Sequence, residues 1–147
     1  MFSDYEGISS NIEKYNIKIN YNSYATIYDY KREHRYIGSR FNNSLDILPS
    51  YLTHILLNNK FNQQVNNLPC GLECIIFGRE FNQMIDKLPN SLLYIYFSVD
   101  FNQPLDNLPS SLVKIEFPPF SKFQKTLNNL PNSIKTIRIC KDYHNFI

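Results

Sequence analysis

Fifteen lysines and arginines against thirteen aspartates and glutamates leave this 147-residue chain with a formal charge of +2. That balance does not advertise nucleic acid or an anionic membrane as a partner, and no apolar run approaches the length that spans a bilayer. A composition of 43% hydrophobic and 15% aromatic residues suits one globular domain.

The first forty residues carry a frame that becomes plain only downstream. Ile12, Tyr15 and Ile17 stand nine, six and four residues before Tyr21, the offsets that Leu52, Ile55 and Leu57 hold before Phe61. Residues 1–40 therefore read as degenerate N-terminal coils, with weak strands near 12–17 and 33–37. The copy between Tyr21 and Arg40 is damaged, because Arg32 and Arg35 occupy the slots of Leu52 and Ile55. Arginines there are costly unless paired. A rival reading makes 12–21 and 24–30 a capping β-hairpin, since Tyr15, Ile17, Ile19 and Tyr21 alternate. Degenerate coils are the preferred reading.

From Phe41 the repeat is explicit. Five copies, 41–60, 61–80, 81–100, 101–122 and 123–139, are followed by a tail at 140–147, and the whole forms one continuous domain. Each opens on an aromatic: Phe41, Phe61, Phe81, Phe101 and, after a slip of two, Phe123. Asn42, Asn62, Asn82 and Asn102 come next, with Gln124 in the last copy. Each copy then carries Leu-Pro and closes on an L-x-x-I-x-L pattern of apolar residues. A fixed period of this length marks a solenoid. The closing pattern has the period of a strand with one buried face, predicting strands at 52–57, 72–77, 92–97, 112–117 and 134–139. About fourteen residues must return the chain to the next parallel strand, and their proline and asparagine disfavour an α-helix. The expected architecture is a parallel β-sheet on one side with extended or short 3₁₀ returns on the other. One coil cannot stand alone and needs its neighbours to close its apolar face.

The asparagine slot has a structural explanation. Its amides recur at strand spacing and carry both donors and an acceptor, so a ladder can satisfy backbone groups of successive turns. Phe41, Phe61, Phe81 and Phe101 are expected to point inward beside it. Asp46, Asp86 and Asp106 share another slot, but Asn66 interrupts them and no glycine-rich loop accompanies them, so no metal is expected there. Cys70 and Cys74 lack the second pair a zinc site needs, and the strand period aims Cys74 away from the core. His34, His54 and His144 form no ligand or catalytic motif, and no phosphate-cradling loop exists. No enzyme activity and no cofactor are expected.

The unit F-N-x-x-Φ-x-x-L-P-x-S-L-x-x-I-x-F (Φ apolar), read at Phe81–Phe97 and Phe101–Phe117, resembles the FNIP repeat, a relative of the leucine-rich repeats. The resemblance covers about 41–139 and departs from the family in its twenty-residue period. It implies a protein-interaction role, without catalytic residues, of the kind found in social amoebae and the giant viruses that infect amoebae. In that family an F-box often accompanies the repeats. The helical apolar pattern an F-box needs is absent before residue 41. An odd set of cysteines and a start without signal-peptide character suggest an intracellular, cytoplasmic setting, or host cytoplasm or virion if viral.

Between the buried strand positions, Tyr36, Leu56, Ile76 and Tyr96 fall in one outward row, with Tyr94 beside it. An exposed apolar stripe of this kind marks an interaction surface. Pro118-Pro119-Phe120 lengthens one turn and offers Phe120 as a ridge. The expected function is recognition of another protein through the strand face. The alternative is a homo-oligomer associating through the solenoid ends or the stripe.

Overall fold

A computed structural model describes residues 28–30, 34–36, 42–45, 48, 50–140 and 143. Among the described residues seven three-residue strands form one sheet in chain order: β1 (Tyr28–Tyr30), β2 (His34–Tyr36), β3 (His54–Leu56), β4 (Cys74–Ile76), β5 (Tyr94–Tyr96), β6 (Lys114–Glu116) and β7 (Thr136–Arg138). From β2 onward every neighbour is parallel and in register with the repeat, so that Arg35, Ile55, Ile75, Ile95, Ile115 and Ile137 stand side by side. The described residues contain no helix.

The N-terminal edge differs from the preferred reading. β1 pairs with β2 antiparallel, Tyr28 opposite Tyr36, and holds the place where a further parallel coil would sit. A hairpin therefore stands at this edge, at 28–36 rather than at 12–30. The strand expected near 12–17 and the aromatic slot Phe41 lie outside the described residues.

Each return begins from local chemistry. The carbonyls of Pro69, Pro89, Pro109 and Pro131 accept the N–H groups of Leu72, Leu92, Leu112 and Ile134, making a tight turn that closes two residues before the strand. Proline suits the turn because only its carbonyl is used there. Serine follows for a reason between coils: the Ser91, Ser111 and Ser133 hydroxyls donate to the Leu72, Leu92 and Leu112 carbonyls one coil earlier. On the other side of the strand, Gly78 lies so close to its neighbour that an added Cβ would stand 2.0 Å from the Asn58 carbonyl oxygen. That approach requires glycine.

The core runs the length of the stack in columns. Ile55, Ile75, Ile95 and Ile115 form one; Leu57, Phe77, Phe97 and Phe117 a second; Phe61, Phe81, Phe101 and Phe123 a third, all buried. Ring centroids in the third column repeat at 6.2 Å in near-parallel planes, and Phe77 and Phe97 stack against Phe81 and Phe101 at 3.9 and 4.5 Å. Offset aromatic stacking adds to the burial these rings already contribute. The column does not stop at Phe123. Tyr143, twenty residues on, is buried and stacks on Phe123 at 5.8 Å, its hydroxyl donating to the Lys125 carbonyl. Residue 143, assigned from sequence to a tail, thus occupies the next aromatic slot.

Candidate functional site

The polar edge of the stack is a hydrogen-bonded ladder. The Asn62, Asn82 and Asn102 N–H groups donate to the Oδ1 atoms of Asn42, Asn62 and Asn82 at 2.8, 2.9 and 2.9 Å. Gln124 N–H continues it onto Asn102 Oδ1 at 3.0 Å. Gln83 and Gln103 amides reach the same Oδ1 atoms and brace the rungs. The aspartate slot also joins coils: Asn107 and Asn129 amides donate to Asp86 and Asp106 at 3.1 and 2.8 Å. These carboxylates act as turn acceptors, and no group of metal-ligating side chains occurs among the described residues. Asp46 lies outside them.

The strand face does not have the exposure expected of it. Leu56, Ile76, Tyr94 and Tyr96 are buried, at 2–8% exposure, as is Cys74. The side chain of Tyr36 lies outside the described residues. By the period of a strand these side chains point away from Ile55, Ile75 and Ile95, and they stand apart from the contiguous core. Alternation tells which side of the sheet a residue takes; whether that side is open depends on what lies over it.

At the C-terminal end this face becomes charged. Glu116 is 1% exposed. Its carboxylate meets Lys114 Nζ at 2.9 Å and Arg138 at 3.3 Å, and accepts the Tyr94 hydroxyl. The Lys114 ammonium also lies 5.2 Å from the Tyr94 ring centroid, within cation–π range. Burial, then the Glu116 hydrogen bond, raises the Tyr94 pKa far above the phenol range. Burial, with Glu73 nearby, pushes the Cys74 thiol up to about 12. Cys74 is held as a thiol, the opposite of a metal ligand or nucleophile. The cluster was not singled out from sequence, although the offsets of 20 and 22 linking Tyr94, Lys114, Glu116 and Arg138 place all four in outward slots.

Phe120 is different. It is 76% exposed and adopts a positive φ of 64°. The Ser121 N–H donates to the Pro118 carbonyl across the turn, and Lys122 N–H returns to the Val99 carbonyl of the preceding coil. Beside it Lys122 pairs with Asp100 at 2.6 Å. The two-residue insertion therefore bulges without breaking the stack and carries an aromatic at its tip.

Residues 64–97 and 81–120 match the FNIP Repeat family. Among solved structures the chain resembles the giant-virus protein CroV588, described as "a novel circular LRR protein structure", with 32% identity over 76% of this chain and a TM-score of 0.56. The match spans 21% of CroV588. No curated protein matches. Stacked parallel rungs, phenylalanine columns and the repeat match agree: residues 64–120 carry FNIP repeats, within a leucine-rich-repeat-like solenoid fold.

Proposed function

We propose that this chain is a non-catalytic module that recognises another protein along the turn edge of its solenoid, with Phe120 as the anchor. Repeat solenoids of this kind serve as protein-interaction scaffolds. Of the predicted contact residues whose side chains are described, Phe120 is the exposed one, and this observation carries the reading. A bulky residue at positive φ is a costly arrangement, and here it holds an apolar ring in solvent. The free thiols of Cys70, Cys74 and Cys140 suit a reducing, cytoplasmic setting.

Phe120→Asn tests the reading, because asparagine tolerates positive φ while removing the ring. In quantitative affinity capture against the native chain, the variant is expected to keep its fold by circular dichroism. It is also expected to lose at least one partner by about tenfold, the effect of removing a hot-spot aromatic. Retention of every native partner overturns the proposal.

Self-association through the end of the stack is a second reading. It rests on β7, whose three residues are exposed. Light scattering of the pure protein distinguishes the two: a stable oligomer without added partner favours self-association.

A further inference from the structure

The edge of the sheet at which the strands begin carries a row of its own. The Glu73, Leu93, Val113 and Lys135 N–H groups donate in turn to the Thr53, Glu73, Leu93 and Val113 carbonyls, so these residues stand in line on successive coils. They come one residue before β4, β5, β6 and β7. Leu93 is 42% exposed and Val113 half-buried, and Glu73 and Lys135 are exposed on either side of them. The row thus reads acid, apolar, apolar, base. Neither charged end is in an ion pair among the described residues, whereas on the opposite turn edge Lys60 pairs with Glu80 and Lys122 with Asp100 across coils. We infer that this row is the contact of a symmetric, transient dimer, its occupant a second copy of the chain.

A twofold axis between Leu93 and Val113 reverses the row. It sets Glu73 against Lys135 of the second copy and Leu93 against Val113, and each contact recurs on the far side of the axis. An isologous contact needs a patch complementary to itself, and this order of side chains matches its own reverse in both charge and polarity. Rungs at about 4.8 Å put the two charges roughly 14 Å apart within one copy, beyond the screening length of about 8 Å at physiological salt. They therefore meet an opposite charge across the dimer and not within the chain. The same row laid down unreversed would put acid on acid and base on base, which is costly, so the charges also fix the direction. So short a row lies at the low end of interface sizes, which makes the association transient. The inference stands apart from Phe120, at the other end of the strands, and from the exposed β7, at the end of the stack.

Charge reversal tests the pairing, read by sedimentation equilibrium over concentrations reaching the millimolar range. The native chain should dimerise reversibly. Glu73→Lys and Lys135→Glu should each weaken the dimer by about tenfold or more, because either change puts like charges together at both ends of the row. An equimolar mixture of the two variants should associate again, and so should the chain carrying both changes, because each arrangement restores opposite charges. Phe120→Asn and Ile137→Ser should leave the native dimer unchanged. A second measurement uses the unaltered chain: a zero-length carbodiimide cross-linker, applied to mixed isotopically light and heavy copies, should join Glu73 to Lys135 between copies. A native chain that stays monomeric throughout overturns the inference, as does a mixture of folded variants that fails to reassociate. Association lost in Ile137→Ser but kept in Glu73→Lys belongs to the end of the stack and overturns it as well. Should a variant fail to fold, the cross-link decides: its presence supports the dimer and its absence overturns it.

Discussion

Ile95 and Ile137 hold the same slot of the same repeat, yet Ile95 is fully buried and Ile137 is 39% exposed. The difference comes from neighbours. β5 lies between β4 and β6, whereas β7 pairs with β6 at the end of the described sheet. The columns of β5 are closed on both sides, and the flanking slots of β7, Ile134 and Ile139, are half-buried where Leu92 and Phe97 are closed. A repeat slot thus sets the direction of a side chain, and the adjoining coils set what that direction is worth. In a solenoid, stability is a sum of coils and the interfaces between them.

The comparison is broken most directly by alanine at both positions. Ile95→Ala should cost about 3 kcal/mol, the middle of the range for a buried isoleucine that leaves a cavity. Ile137→Ala, already partly hydrated, should cost about 1 kcal/mol or less. Denaturant midpoints at unchanged slope measure both. Equal losses would mean that β7 is covered in solution.

What was legible before the fold and what was not follow the same division. The Ile55–Ile75–Ile95–Ile115 column and the parallel register can be read from period and spacing, because each slot repeats the geometry of its predecessor. The strands themselves came out three residues long rather than six, since the flanking L and L/F slots turn into the returns. Alternation sets Leu56 and Ile76 on the side away from Ile55 and Ile75, yet both are buried: alternation distinguishes two faces and carries no information about a layer above either. The β1–β2 hairpin was displaced because Arg32 and Arg35 had broken the apolar pattern from which a boundary is read. Tyr143 is hard to read from sequence although its spacing from Phe123 is the plain twenty, because His144 follows it where the other copies carry asparagine or glutamine.

Cys74 sharpens the contrast between inner rungs and the last one, where Thr136 holds its column and is exposed. Burial raises the folded-state thiol pKa from 9.0 to about 12. The unfolded chain therefore loses this proton first as pH rises. The thiol's contribution to stability is fully present below pH 9 and disappears between there and pH 12, at about 1.4 kcal/mol per pH unit for one group. Comparing about pH 8 with about pH 10, Cys74→Ala should lose less stability than the native chain by roughly that amount. Identical alkaline losses would show that Cys74 is already solvated.

The smallest expected effect lies on the asparagine ladder. Asn82 Oδ1 takes two donors, the Asn102 N–H and the Gln103 amide, at the centre of the stack. Asn102 Oδ1 takes the Gln124 N–H in the lengthened coil, where Lys125 replaces the bracing glutamine. Both sites are partly hydrated, so water can take over a released donor and keep each loss near that of one net hydrogen bond. Asn82→Ala should cost about 1 kcal/mol and Asn102→Ala about 0.5 kcal/mol by that count. Hydrogen exchange gives the decisive readout, because truncation at residue 82 should quicken exchange of the Asn102 amide and leave the Asn62 amide, bonded to Asn42, unchanged. Exchange that quickens at every rung would mean that the ladder is one cooperative element, and the distinction between central and terminal coils would then lie in the apolar columns alone.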